Sequence, residues 1–234
     1  MKSFSKIEIG LIIYLSIISL VGVVMSYTHP DYFRYTYTVE DGFIEWLTVV
    51  ALISTMIVCF RRAWLLRRQA SKLFLGMTLF FGLAFLFGAG EEISWGQRIF
   101  NVESPEFFKE YNAQGETNLH NTIIKDTKIN KLVFGKGLGI LLLFYLTVFI
   151  PLYRYRPKMK ALVDKFAIPI ATNYQIAAYV IAILLIQVGM ESSKKGELLE
   201  FAMTNIFLLN FAFAYNREIF RPTSRQAETI PTND

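Results

Sequence analysis

Long apolar runs alternate along the chain with short basic, acidic or polar clusters. The run LFLGMTLFFGLAFLF, residues 73–87, carries no charge at all. Several nearly uncharged runs reach roughly 18–21 residues, enough for a helix rising 1.5 Å per residue to cross a hydrocarbon core. A soluble domain would show 3.6-residue or alternating patterns instead. The pattern predicts spans at about 7–25, 42–60, 73–90, 132–150, 168–188 and 198–215. The expected fold is therefore all-α: a polytopic membrane helical bundle of six transmembrane helices, one domain over residues 1–216. Residues 217–234 are polar with two prolines and are expected to form a cytoplasmic disordered tail.

Composition agrees, at 53% hydrophobic against 18% charged. The first apolar segment lacks an A-x-A-like cleavage site and continues into VVMSYTHPD, so it is expected to be a retained helix. The single cysteine, Cys59, excludes an intrachain disulfide. Basic residues set the orientation. With the N-terminus inside, RRAWLLRRQASK, YRYRPKMKALVDK and the two terminal segments hold most of the Lys and Arg, and the outer segments hold most of the acids. The expectation is N-in/C-in in a bacterial inner membrane, and the net charge of +5 needs no nucleic-acid partner.

Two outer segments exceed simple turns. SYTHPDYFRYTYTVEDG is aromatic-rich and fits an interfacial belt. The stretch 91–131 is long for an unstructured connection. In it, Ser104-Pro105-Glu106 predicts a helix N-cap with proline at the first position, NAQGE a break, and TNLHNTII a lead into the fourth span. FGKGLG, residues 134–139, lacks phosphate-loop spacing and is expected to serve close helix packing.

Ionisable groups in spanning helices are costly and face the bundle interior. Asp41, Glu45, Thr48 and Thr55 fall within about 80° on the second span at 100° per residue. Glu197, Glu200 and Thr204 share a face of the sixth, and Gln187 and Glu191 one of the fifth. Asp41, Glu45, Glu197 and Glu200 lie near helix N-termini, where the dipole favours a carboxylate. Glu91 and Glu92, in GAGEEISWGQR, close a helix C-terminus where the dipole opposes them. That pair needs a partner: Arg98, His120, a proton shared with Glu45 or Glu200, or a bound cation. With only His29 and His120 present, a three-histidine zinc site is excluded. Glu45, Glu92, Glu200 and His120 form a chemically suitable metal set, although no H-E-x-x-H pattern supports it.

EDGFIEWLT (40–48), GEEISWGQRIF (90–100) and ETNLHN (116–121) together resemble the signature of a widespread, uncharacterised family of bacterial polytopic membrane proteins. The resemblance covers roughly residues 40–121 and implies membrane insertion but no activity. Two membrane hydrolase groups differ. CPBP intramembrane proteases carry E-E-x-x-x-R and later histidine motifs, whereas Arg98 falls two positions late and the histidine motifs are absent. Alkaline ceramidase and adiponectin-receptor-like hydrolases require H-x-x-x-H, also absent.

The expected function is that of a membrane enzyme, a hydrolase or transferase acting on a lipid or lipid-linked substrate at the outer leaflet. Glu45, Glu92, Glu200 and His120 are the candidate acid, base or metal-binding groups. Arg98, Gln97 and Asn118 are candidate substrate- or anion-binding groups, and Ser94 is an available hydroxyl. A divalent metal stays open as cofactor. Two alternatives stand beside this: a non-catalytic subunit docking a partner through the outer loop, and a proton- or cation-coupled transporter.

Overall fold

A computed structural model describes residues 4–119, 121–124, 127–128 and 137–222. The fold is built from α1 (Lys6–Thr28), α2 (Phe43–Leu66), α3 (Lys72–Glu92), α4 (Glu106–Tyr111), α5 (Leu138–Tyr155), α6 (Pro157–Lys165), α7 (Asn173–Val188) and α8 (Lys195–Ala212). One minimal antiparallel ladder pairs β1 (Ile123–Ile124) with β2 (Thr127–Lys128). Among the described residues four helices, α1, α2, α3 and α5, are long and apolar enough to cross a membrane. α7 is apolar but shorter, and α8 carries Lys195, Glu197 and Glu200 within its first two turns. The expected fourth span at 132–150 is helical over 138–155, five residues longer at its end, and residues 132–136 lie outside the described residues.

Local chemistry fixes the helix ends. Ser5 and Glu8 form a reciprocal capping box at the start of α1. The Ser71 hydroxyl accepts the Phe74 amide at the start of α3. Gly42 precedes α2 because a Cβ there would meet the Val39 carbonyl oxygen at 2.4 Å. Large apolar side chains on α1, including Ile13, Ile17, Leu20 and Val24, remain exposed, an apolar surface compatible with a membrane-crossing helix.

The centre of the bundle is α2, packed against α3 on one side and α8 on the other, with α1 and α7 against α8. Thr48 and Thr55 of the polar stripe are buried and return their hydroxyls to the Ile44 and Ala51 carbonyls. The deeper part of the stripe is therefore internally satisfied, and its charged groups lie at the Asp41–Glu45 end. At the opposite end, buried Gln175 donates to the Leu209 carbonyl and to the Tyr174 hydroxyl, which in turn donates to Glu8.

Three local expectations are corrected. Ser104 does not cap α4: the helix begins at Glu106 after Pro105, and the Ser104 hydroxyl donates to the Gly115 carbonyl instead. TNLHNTII folds back, with Thr122 bridging to Asn112, rather than running directly into a span. The tail from 217 is ordered at its start: Arg217–Phe220 is a 3-10 turn whose Phe220 packs on Phe74. Residues 223–234 lie outside the described residues. Of the FGKGLG glycines, Gly139 faces open space, so it mediates no close packing. That role falls to Gly22 against Leu198 and to Gly82, whose Cβ would meet the Phe60 ring at 2.4 Å. Gly82→Leu should lower the stability of the purified protein by about 1–3 kcal/mol through overpacking, whereas Gly139→Leu should leave the Tm unchanged. Equal Tm values for both variants would contradict the packing assigned to α2 and α3.

Candidate functional site

α3 ends at Glu92, and the two adjacent acids there part company. Glu91 is 4% exposed, and both its oxygens are occupied: Oε1 accepts the Trp95 indole N–H at 2.9 Å and Oε2 the Leu119 amide at 2.6 Å. Glu91 is thus an anchor for the returning loop. Glu92 points the other way, into hydrogen-bonding contact with Glu200 of α8, and its strongest charged neighbours also include Glu45 and Glu197. Glu45 in turn accepts the Asp41 amide at 2.8 Å and lies near Glu197 and Glu40. The structure therefore brings together three of the four candidate acid/base residues, Glu45, Glu92 and Glu200. His120 lies outside the described residues.

Arg98 does not answer the Glu91–Glu92 pair, as the salt-bridge expectation had it. Its guanidinium binds Asp41 and, at 2.8 Å, Glu116. A guanidinium committed to two carboxylates is a clasp between the start of α2 and the loop, not a free anion clamp. Gln97 accepts the Thr117 amide at 2.7 Å. Asn118 is fully used, donating to Ser94 Oγ and Glu116 and accepting from Asn112 and the Asn121 amide. Ser94 is not an available nucleophile: it is wholly buried, and its hydroxyl donates to Glu116 at 2.8 Å.

Ser94, Trp95 and Gly96 occupy the left-handed region in succession, with φ of 48°, 54° and 76°. Each such non-glycine residue costs on the order of 1–2 kcal/mol and persists only where its surroundings impose it. Here the Ser94–Glu116–Asn118 bonds, the Trp95–Glu91 bond and the Arg98 clasp impose it. Together they make residues 93–119 a cap over the start of α2 and the end of α3. Beyond it, the Lys109 ammonium 3.0 Å from exposed Glu103 holds that carboxyl below its usual range.

Under the cap lies a cavity of about 30 Å³ lined by Asp41, Glu45, Trp46, Ile93, Arg98 and Ile99. That is room for one water, not for a lipid headgroup. Among the described residues no group of three or more His, Cys, Asp or Glu side chains is arranged to hold a metal ion. Glu191 is exposed beyond the end of α7, and its nearby lysines are used elsewhere: Lys194 pairs with Glu197 and Lys195 caps the Gln187 and Met190 carbonyls.

Sequence reasoning missed Glu116 and Asn112, the two hubs of the cap. The available signal was the density of amide side chains in NAQGETNLHN, each able to satisfy several loop backbone groups at once. No protein-family model, no curated protein and no solved structure matches the chain, so function is read from this geometry.

The anchoring role of Glu91 predicts that the Leu119 amide exchanges slowly with solvent and that Glu91→Ala abolishes its protection, because its acceptor is lost. An unchanged exchange rate in Glu91→Ala would contradict the anchor. Ser94→Ala should lower stability by about 1–3 kcal/mol in thermal or denaturant unfolding, since buried Glu116 and Asn118 lose a partner.

Proposed function

We propose that this chain is a six-span inner-membrane protein, both termini cytoplasmic, whose working site is a proton held by the Glu92–Glu200 pair beside Glu45. The observation carrying this reading is the contact between two carboxyl groups whose strongest charged neighbours are themselves acids. Two carboxyls in hydrogen-bonding contact must share a proton or a cation, because both cannot ionise together cheaply. Arg98, a counterion the sequence offers, is engaged by Asp41 and Glu116.

A proton so held supports general acid/base chemistry, with Glu92 and Glu200 exchanging donor and acceptor roles and Glu45 facing the one-water cavity. The substrate class this favours is lipid or lipid-linked, approaching a site near the outer surface from the bilayer. The basic inner segments support the N-in/C-in orientation. The small cavity and the fully bonded cap favour a second reading, a non-catalytic membrane subunit whose rigid outer loop docks a partner.

Glu92→Gln and Glu200→Gln keep a hydrogen-bonding amide but cannot pass a proton. In the enzyme reading each variant inserts and folds normally yet loses at least a hundredfold of the chain-dependent activity, the scale of a lost acid/base group. Folded variants that retain a chain-dependent cellular phenotype would leave the subunit reading standing.

A further inference from the structure

At the end of the bundle opposite Glu45 lies a larger, open cavity of about 470 Å³. Arg62 stands 17 residues after Glu45 on the same helix, about 26 Å away along its axis. The cavity is bounded by Phe4 and Ser5 at the start of α1, Arg62 near the end of α2, and Arg217, Phe220 and Arg221 after α8. Three arginines therefore line one concavity.

The local acids leave this charge only partly answered. Glu218 lies 4.0 Å from Arg217 and 3.3 Å from Arg221. Glu8 is buried in its capping box and accepts from Tyr174. Among the described residues Arg62 meets no carboxylate. It donates one bond to the Ala212 carbonyl at 3.2 Å and lies over the Phe220 ring, 4.1 Å from its centroid. That stacking holds the planar guanidinium in place while most of its five N–H donors stay uncommitted. A fixed guanidinium with two further arginines on the same concavity matches a tetrahedral oxyanion, which takes paired N–H···O bonds. Phe4 and Phe220 add apolar walls beside the charge.

We propose that this pocket binds a phosphate group, with Arg62 as its fixed donor and Arg217 and Arg221 closing on it. The phosphate is that of an anionic phospholipid headgroup or of a free phosphate. The proposal is independent of the carboxylate site, since it uses none of its residues.

The test uses the full-length protein, purified and placed in nanodiscs of phosphatidylcholine, with or without phosphatidylglycerol, and separately titrated with inorganic phosphate. Lipid retention is read by native mass spectrometry and binding by the shift in Tm. A lipid source predicts selective retention of phosphatidylglycerol and a higher Tm in its presence, with inorganic phosphate without effect. A free-phosphate source predicts a saturable Tm rise with inorganic phosphate and no preference between the lipids. In either case Arg62→Gln should weaken binding at least tenfold, and exposed Arg221→Gln, which leaves the fold intact, should weaken it several-fold. No response to either probe, or equal responses in wild type and Arg221→Gln, would overturn the proposal.

Discussion

Two carboxyl groups from different helices, Glu92 at the end of α3 and Glu200 near the start of α8, meet in a partly buried site with other acids around them. Such a contact is stable only if something neutralises it, and much of this end of the bundle can be understood from that requirement. The α3 dipole opposes the charge of Glu92, whereas the α8 dipole favours that of Glu200. The two partners thus sit in inequivalent electrostatic surroundings, a natural arrangement for a proton with a preferred resident and an available second seat. α2, packed between α3 and α8, brings Glu45 alongside.

The cap is tied down on two sides. Glu91 ties the loop to α3 through Trp95 and Leu119, and Arg98 ties it to Asp41 through Glu116. Buried polar networks of this kind specify one arrangement only when every member is satisfied, and Ser94, Asn112, Glu116 and Asn118 satisfy each other. The strained turn at 94–96 follows from that closure.

Much of the helical frame was legible in the apolar runs, because lipid imposes a length and a lack of charge that few other constraints mimic. α1, α2 and α3 fall close to their predicted bounds. The start of the fourth predicted span lies at residues outside those described, and its described part runs on to Tyr155. Dipole reasoning correctly singled out Glu91 and Glu92 as needing partners, and it named a shared proton with Glu200 among the options. It also offered Arg98 as a partner, because the three are close in sequence. Asp41 and Glu116 are close only in space, and a one-dimensional reading weights the former. The cap was illegible for the same reason: its bonds join residues some 20 or more apart, through loop side chains without periodicity.

The most direct measurement is the infrared carboxyl stretch of the purified protein at neutral pH. A proton on the Glu92–Glu200 pair predicts a band from a protonated carboxylic acid in the wild type that disappears in both Glu92→Gln and Glu200→Gln. A spectrum containing only ionised carboxylates at neutral pH, or a protonated band that survives both substitutions, would contradict it.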